Sequence, residues 1–201
     1  MSMKLGIFGG SFDPPHLGHL QIAEAAKDQL GLDEVVFVPT HTNPEKQRTK
    51  GATPKRRLKM VELLIEDREG LAASDLEITR GGLSYTVDTL QELNPRKGTE
   101  VHLILGGDSL AGFYGWKQPE KIVRIARIGC VVRPKFDKDV IFRSLPDEFH
   151  QYIDWIEMEP TAISSTGIRS LILQGEPWRH LTIPAVADYI EAHGLYDLKT
   201  T

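Results

Sequence analysis

Two histidines that flank a glycine form the part of this sequence best suited to phosphate chemistry. They end the stretch Gly9-Gly10-Ser11-Phe12-Asp13-Pro14-Pro15-His16-Leu17-Gly18-His19, which follows a short apolar run. Because His16 and His19 are three residues apart, they lie on one face if a helix begins here. The first turn of such a helix offers free N–H groups and its positive dipole end to an anion. The spacing therefore predicts that both histidines donate hydrogen bonds to phosphate oxygens.

The other residues of this loop agree with the close approach of a ligand. Gly9 and Gly10 allow a tight turn in which the backbone comes near a bound group. Pro14 and Pro15 stiffen the entry into the helix. Gly18 lowers the helix propensity by about 1 kcal/mol relative to alanine, so we expect another group to pack closely against it.

Other roles for the loop are either open or lack support. The two histidines could instead cap the helix or fill a gap in the core. A zinc site would need a third ligand, and no cysteine or Glu-His arrangement completes one. The sequence contains neither a Walker A motif nor the G-x-G-x-x-G fingerprint of dinucleotide-binding folds. Hydride chemistry on a Rossmann cofactor therefore loses its main support.

Strands and helices that must position this loop alternate along the chain. Apolar runs predict strands at 4–8, 34–38, 101–105, 128–132 and, more weakly, 153–158, and helical spacing of apolar residues predicts helices at 17–30, 58–65, 168–173 and 184–193. This alternation predicts an α/β fold, a Rossmann-like doubly wound parallel sheet with helices on both faces, in a single domain. Ligands bind beyond the carboxyl ends of the strands in such sheets, so we expect the site at the loop after the first strand.

The composition excludes several other classes of protein. The 201 residues are 40% apolar with a formal net charge of -4, which argues against a general nucleic-acid binder and against an acidic disordered chain. Cys130 is the single cysteine, so no internal disulfide can form and we expect a reducing compartment. No apolar stretch reaches the roughly 18 residues of a membrane helix, and no signal peptide is evident. These features predict a cytoplasmic protein without a membrane or nucleic-acid partner.

The net charge conceals a strongly basic segment between residues 46 and 59. The segment contains no acid and seven basic residues, namely Lys46, Arg48, Lys50, Lys55, Arg56, Arg57 and Lys59. One interpretation is a solvated loop that leads into a helix; the other is an attractor for a polyanionic ligand. The segment follows the second predicted strand, on the ligand side of the sheet, and its composition leaves both interpretations open.

Two signatures in the chain resemble those of a known family. The loop from Gly9 to His19 resembles the His-x-Gly-His signature of a nucleotidyltransferase superfamily, and Ile163-Ser164-Ser165-Thr166-Gly167-Ile168-Arg169 resembles its second signature. Together they are highly specific, and the resemblance is strongest to the bacterial nicotinate-nucleotide adenylyltransferases, over essentially the whole chain. Further matching pieces are Ser84-Tyr85-Thr86, Gly107-Asp108-Ser109-Leu110, Trp116, Arg133-Pro134 and His193-Gly194-Leu195-Tyr196.

The resemblance implies a reaction and its reactants. This family joins ATP to nicotinate mononucleotide and makes nicotinate adenine dinucleotide and pyrophosphate, by direct attack of the mononucleotide phosphate on the α-phosphorus. It implies Mg²⁺ bound with ATP, with no metal ligand assigned to a side chain, and leaves a homo-oligomer open. Residues 1–201 would form one nucleotidyltransferase domain, whose C-terminal helical part, about 164–201, carries the second phosphate signature.

The same resemblance assigns residues to the two substrates. The catalytic residues would be His16, His19 and Arg169. These three would also bind ATP, together with Gly9, Gly10, Ser11, Phe12, Gly107, Asp108, Ser164, Ser165 and Thr166. Nicotinate mononucleotide would be bound by Thr40, Lys46, Thr86, Trp116, Lys117 and Arg133. Helix capping remains an alternative for each hydroxyl of the second signature and for Asp108, and Trp116 could belong to the core.

One stretch departs from the pattern of the family. Many relatives have Pro-Pro-His followed by a basic residue after the second strand, where this chain has Asn43-Pro44-Glu45-Lys46. Glu45 stands at the position of that histidine, and we assign it no role because an acid beside a phosphate site is unexpected. Lys46 keeps the positive charge. Since both substrates implied by the resemblance are polyanions, we expect Lys46 to act at the site and the other basic residues of 46–59 to act as steering charge. His41, four residues earlier, is a second candidate to replace the missing histidine.

Three other functions are open at this point. Phosphopantetheine adenylyltransferases resemble the chain at both signatures but usually have threonine at the position of His16. An esterase of the Gly-Asp-Ser-Leu type would use Gly107-Asp108-Ser109-Leu110 with Asp147 and His150, yet it leaves both phosphate signatures unexplained. A nucleotide sensor without activity would need only the binding residues. Nicotinamide mononucleotide could be a secondary substrate of the favoured enzyme.

Overall fold

The computed structural model describes residues 3–44, 51–93, 98–132, 137–159 and 161–197. Within these ranges the strands are β1 (Lys4–Gly10), β2 (Glu34–Pro39), β3 (Leu71–Ala73), β4 (Glu100–Gly106), β5 (Arg127–Val132) and β6 (Ile153–Glu157). The helices are α1 (Leu17–Leu30), α2 (Pro54–Ile65), α3 (Leu76–Arg80), α4 (Thr86–Leu93), α5 (Gly107–Ala111), α6 (Pro119–Ile125), α7 (Asp139–Phe142), α8 (Asp147–His150), α9 (Ser165–Gln174) and α10 (Pro184–Ala192). Lys46, Arg48, Lys50, Glu45 and Arg133 lie outside the described residues.

The six strands form one parallel sheet in the order β3-β2-β1-β4-β5-β6. The strands β2 and β3 extend the sheet on one side of β1, and β4, β5 and β6 then extend it on the other side. The strand order therefore reverses between β1 and β4. In the register of the sheet, Gly10 lies beside Pro39 and Ile7 beside Leu103. The predicted doubly wound fold is confirmed, and its ligand-binding crevice must open at the carboxyl ends of β1 and β4.

Apolar residues on the two faces of the sheet form two core clusters. Successive strand residues point to opposite faces, so Ile7 and Leu103 belong to one cluster and Phe8 and Ile104 to the other. The first cluster packs under α4 and α6, and the second under α1, α2 and α10. Cys130 is fully buried in the first, where burial raises the pKa of its thiol to about 12. The two clusters together pack helices on both faces of the sheet, which holds the loops at its carboxyl edge.

The sequence prediction missed β3 and the helices from α3 to α8. Leu71–Ala73 has only three residues, all half-buried, and becomes a strand by pairing with β2. Helices of four to eight residues contain too few turns for a clear apolar period. The start of α2 was also predicted too late, since Thr53 accepts a hydrogen bond from the Arg56 N–H at 3.4 Å and Pro54 opens the helix. None of the helices in the described ranges has the length and apolar character needed to cross a bilayer.

Candidate active site

A cleft of about 620 Å³ opens at the carboxyl ends of β1 and β4. The loop after β1 forms one wall, from Gly9 to Asp13 together with His19, and the second signature adds Ser165, Thr166 and Arg169. Tyr85, Thr86, Trp116 and Lys117 form the opposite wall. The two signatures are about 150 residues apart in the chain, and the structure brings them together. The volume lies in the range of small-molecule sites.

The loop after β1 holds Phe12 as a support for His19. Phe12 is 2% exposed and has a positive φ of 47°. A Cβ on Gly10 would lie 2.9 Å from the Phe12 ring, so glycine is what allows this ring to fold over the loop. The ring meets His19 edge-on, with 4.9 Å between centroids. Phe12 also lines the cleft. Its predicted contact with ATP stays a prediction.

His16 and His19 pack against each other at the start of α1. His16 is the N-cap, and its backbone N–H donates to Nδ1 of His19 at 3.2 Å. The rings stack with 3.7 Å between centroids. Since Nδ1 of His19 accepts a hydrogen bond, the proton of the neutral ring lies on Nε2. His19 lines the cleft, whereas His16 is buried against it and outside the cleft wall.

Burial keeps both histidines uncharged near neutral pH. It lowers the pKa of His16 to about 4. Burial and then the neighbouring His16 ring lower the pKa of His19 well below its ordinary value. The close packing expected at Gly18 is confirmed, because a Cβ there would lie 2.8 Å from Cγ2 of Thr161 and 3.1 Å from Nδ1 of His16.

The second signature docks directly onto the first. Ser165 donates its hydroxyl hydrogen to the Pro14 carbonyl at 2.8 Å. Arg169 donates to the Asp13 carbonyl and, at 2.9 Å, to the hydroxyl of Thr166. Ser164 is the N-cap of α9, and its hydroxyl accepts from the Gly167 N–H at 3.0 Å. The capping alternative therefore holds for Ser164, while Ser165, Thr166 and Arg169 face the cleft.

The opposite wall combines aromatic rings with a helix start. Thr86 begins α4, so its backbone N–H has no acceptor within that helix. Trp116 is half-buried and packs on Phe113 with 5.4 Å between centroids, so it joins the core on one side and the cleft on the other. Lys117 pairs with Asp88 at 2.8 Å, and its ammonium lies 4.5 Å above the Tyr85 ring. The wall can take a flat ring and a small anion.

Comparison with known proteins agrees with this arrangement. Residues 7–171 match the cytidylyltransferase-like family. The protein of Roseiflexus sp. (strain RS-1) named "Probable nicotinate-nucleotide adenylyltransferase" is 41% identical to this chain, over 97% of this chain and 98% of that protein. The protein of the same name from Desulfitobacterium hafniense (strain Y51) is 36% identical, over 96% of this chain and 95% of that protein. The chain belongs to the nicotinate-nucleotide adenylyltransferase family.

A solved member of this family has the same fold. The Plasmodium falciparum nicotinic acid mononucleotide adenylyltransferase complexed with NaAD superposes with a TM-score of 0.75 at 21% identity, over 96% of this chain and 97% of that one. The same enzyme complexed with APC gives a TM-score of 0.73, also at 21% identity and over 96% and 97% of the two chains. At this identity the likeness establishes the Rossmann-like architecture.

The structure corrects the role predicted for Arg57. This residue was expected to be a steering charge, but it is 5% exposed and its guanidinium donates to backbone carbonyls, with Ser11 at 2.6 Å as one acceptor. It is therefore a structural cation beneath the cleft. Lys55 and Lys59 are exposed and Arg56 is half-buried, which fits the steering role still predicted for them.

His41, the second candidate to replace the missing loop histidine of the family, lies outside the cleft wall. Its Nδ1 lies 3.1 Å from the Gly82 carbonyl and 3.1 Å from the Thr42 hydroxyl. Its role stays a prediction. The backbone N–H of His41 donates to the Ser84 hydroxyl at 2.9 Å, which joins the loop after β2 to the start of α4.

Two acidic residues of the cleft had no predicted role. Asp13 is buried, and its carboxylate accepts from the Tyr196 hydroxyl at 2.7 Å and from the Ala52 N–H at 3.0 Å. Glu77 is also buried, with one oxygen accepting from the Thr89 hydroxyl and the other without a partner among the described residues. The groups that donate to these carboxylates lie 12 to 183 positions away in the sequence, so no local motif signals either role.

The remaining predicted residues differ in how closely they face the cleft. Gly9, Gly10, Ser11 and Thr40 line it. Gly107 and Asp108 form the first turn of α5 and are outside its wall, whereas Ser109 from the same turn lines it. The contacts predicted for these residues, with nicotinate mononucleotide for Thr40 and with ATP for the glycines, Ser11 and Asp108, stay predictions. The predictions for Lys46 and Arg133 fall on residues that the structure does not describe.

Proposed function

We propose that this chain transfers the adenylyl group of ATP to nicotinate mononucleotide and releases pyrophosphate. The observation that carries the proposal is the docking of the two phosphate signatures on each other, through Ser165 to Pro14 and Arg169 to Asp13, opposite an aromatic wall. The names of the relatives support the same reaction. A site with anion-binding groups on one side and a ring-binding wall on the other suits two nucleotide substrates.

The phosphate wall would act by positioning and by neutralising charge. A phosphate monoester is already a nucleophile near neutral pH, so direct in-line attack on the α-phosphorus needs no strong base. His19 would donate from Nε2 to a phosphate oxygen, because its Nδ1 is occupied by the His16 N–H. Arg169 brings a permanent positive charge to the same wall. The hydroxyls of Ser11 and Thr166 would complete the set of donors, since the hydroxyl hydrogen of Ser165 already goes to the Pro14 carbonyl.

The aromatic wall would select the mononucleotide. Trp116 can stack on a pyridine ring, and the start of α4 at Thr86 favours an anion such as the nicotinate carboxylate. The Lys117 side chain is held by Asp88, so its proposed contribution is the backbone N–H. These features favour the acid over the amide, with nicotinamide mononucleotide as a weaker substrate.

Mg²⁺ is proposed to enter with ATP, coordinated by phosphate oxygens and water. Asp13 and Glu77 are the carboxylates in the cleft wall, and each already accepts a hydrogen bond from the protein. Over the described ranges, no group of three or more His, Cys, Asp or Glu residues could hold a metal ion. These residues do not form a protein cage for a cation, so we derive no step from the metal.

One assay tests the proposal. ATP and Mg²⁺ are supplied with nicotinate mononucleotide, nicotinamide mononucleotide or phosphopantetheine, and pyrophosphate release is followed. We expect the fastest release with nicotinate mononucleotide. Fastest release with phosphopantetheine would establish the sister activity instead, and no release with any of the three would leave nucleotide binding without transfer.

The esterase alternative has little support in the structure. A catalytic histidine of that type needs a free Nε2 to accept the serine proton. In His150, Nε2 lies 3.2 Å from the Phe142 carbonyl, to which it can only donate.

We further propose that residues 1–201 act as one domain in the cytoplasm, without a nucleic-acid or membrane partner.

A further inference from the structure

Arg57 connects three separate segments of the chain beneath the cleft. From the first turn of α2 its Nη1 donates to the Ser11 carbonyl at 2.6 Å, and its Nη2 donates to the carbonyls of Thr40 and, at 3.1 Å, His41. Its Nε donates to the Ala52 carbonyl at 3.3 Å. One guanidinium thus holds the loop after β1, the loop after β2 and the segment before α2.

The carbonyls that Arg57 binds belong to both halves of the site. Ser11 lies on the phosphate wall and is predicted to bind ATP, and Thr40, which also lines the cleft, is predicted to bind the mononucleotide. The two residues follow the neighbouring strands β1 and β2, and the guanidinium spans the gap between their loops. Any change in how Arg57 is seated would therefore move one substrate relative to the other.

The chemistry of Arg57 fits this spanning task better than a contribution to packing. Burying a positive charge is unfavourable, and here the bonds that offset this cost go to carbonyl oxygens. Burial lowers the pKa of Arg57, while Asp13, Tyr196 and Glu77 raise it, in that order. Asp13 is fixed in turn by the Tyr196 hydroxyl and the Ala52 N–H. A planar fork with five hydrogens can serve four carbonyls at once, which a lysine ammonium cannot do.

We infer that Arg57 is a positioning residue that sets the distance between the ATP side and the mononucleotide side of the cleft. The inference rests on the proposed function, and it adds that Arg57 aligns the two bound substrates. Each substrate should still bind when the guanidinium is lost, but the mononucleotide phosphate should no longer be aligned with the α-phosphorus. A misplacement of about 1 Å is enough to cost roughly 10²-fold in rate.

The test compares Arg57→Lys, which keeps the charge, with Arg57→Met, which keeps only an unbranched apolar stem. Dissociation constants are measured separately for a non-hydrolysable ATP analogue and for nicotinate mononucleotide, and the transfer rate is measured in a single turnover with both substrates saturating. We expect both variants to bind each ligand within about threefold of wild type and to transfer about 10²-fold more slowly. Arg68→Lys, at an exposed pair with Glu24, is the matched control and should change nothing.

Several results would overturn the inference. A normal transfer rate in folded Arg57→Lys with a slow Arg57→Met would mean that charge alone matters. If the transfer rate falls by no more than the factor by which the dissociation constant of one substrate rises, Arg57 is an ordinary binding residue. Normal transfer in both variants, with lower thermal stability, would make it structural only. Wild-type protein that releases no pyrophosphate would instead refute the proposed function itself.

A milder variant decides the matter if neither Arg57 variant folds. Tyr196→Phe removes the hydroxyl that holds Asp13, and leaves the ring and Arg57 in place. We expect a slower transfer, by at least about threefold, with both dissociation constants unchanged. An unchanged transfer rate in Tyr196→Phe would contradict the positioning role.

Discussion

The backbone N–H of His16 donates to Nδ1 of His19 at 3.2 Å, beneath two rings that stack 3.7 Å apart. This contact fixes the tautomer of His19 and aims the one hydrogen of the neutral ring, on Nε2, away from the backbone. A protonated His19 would carry hydrogen on both nitrogens and lose the contact, so the geometry and the lowered pKa both favour the neutral ring. His19 thus acts in the proposed reaction as a donor of fixed direction, and His16 as its support.

Loss of the His19 ring should therefore slow the chemical step. We expect His19→Ala to lower kcat by about 10²–10³-fold, the scale for removing one preorganised donor from a developing charge. His180→Ala removes an exposed histidine and serves as the control. Steady-state pyrophosphate release measures both, and a fully active His19→Ala enzyme would refute the assigned role.

The tautomer itself can be observed without any reaction. With ¹⁵N-labelled histidine, we expect Nδ1 of His19 to give the signal of an unprotonated ring nitrogen and Nε2 that of a protonated one, from pH 6 to 8. Assignment by comparison with His19→Ala isolates the signals. Two protonated nitrogens in this range would mean that the His16 N–H does not hold the ring.

The stability of the fold should depend on pH through His16. Its pKa is about 4 in the folded protein and near 6.5 in the unfolded chain, so between these values only the unfolded chain gains the proton. The contribution of His16 to the free energy of unfolding should have its full value above about pH 6.5 and fall as the pH drops toward 4. His16→Gln should show a shallower loss between pH 7 and 5 in urea titrations. Burial also lowers the pKa of His19 and of His102, so part of the slope should remain.

An equal slope in wild type and His16→Gln would contradict this explanation. His102→Gln offers a comparison at the other end of the sheet, where the ring lies 3.3 Å from Asp154. Because that carboxylate opposes the effect of burial, we expect a smaller change of slope there.

Sequence reasoning succeeded where the relevant residues are contiguous. The signature from Gly9 to His19 and the one from Ile163 to Arg169 are read directly from neighbouring residues, and the apolar run that predicts β1 places the first of them at the carboxyl edge of the sheet. The role of Gly18 also followed from local reasoning, since a glycine inside a helix needs a packing reason.

The contacts between distant segments could not be predicted in the same way. Tyr196 and Asp13 are separated by 183 positions, and only the folded chain shows that a hydroxyl meets a carboxylate. The composition of the basic segment likewise gave no means to separate buried Arg57 from exposed Lys55 and Lys59, because the difference depends on which side of α2 faces the loops.

Trp116 should contribute to binding of the mononucleotide and not of ATP. It stands on the wall opposite the phosphate signatures, where a ring can stack on it. Loss of stacking is worth about 1–3 kcal/mol, so we expect Trp116→Ala to raise the KM for nicotinate mononucleotide about tenfold or more. Trp116→Phe should recover much of the loss, and the KM for ATP is the internal control. A rise confined to ATP would place the adenine on this wall.

The basic residues of α2 other than Arg57 should speed substrate capture through their charge. We expect a triple variant of Lys55, Arg56 and Lys59 to glutamine to lower kcat/KM at low salt and to approach wild type as salt rises, because the screening length falls from about 30 Å at 0.01 M to about 3 Å at 1 M. Arg57 stays in place, since its side chain holds the loops. A deficit that persists unchanged at high salt would mean that these residues touch the substrates or the fold and do not merely attract a polyanion.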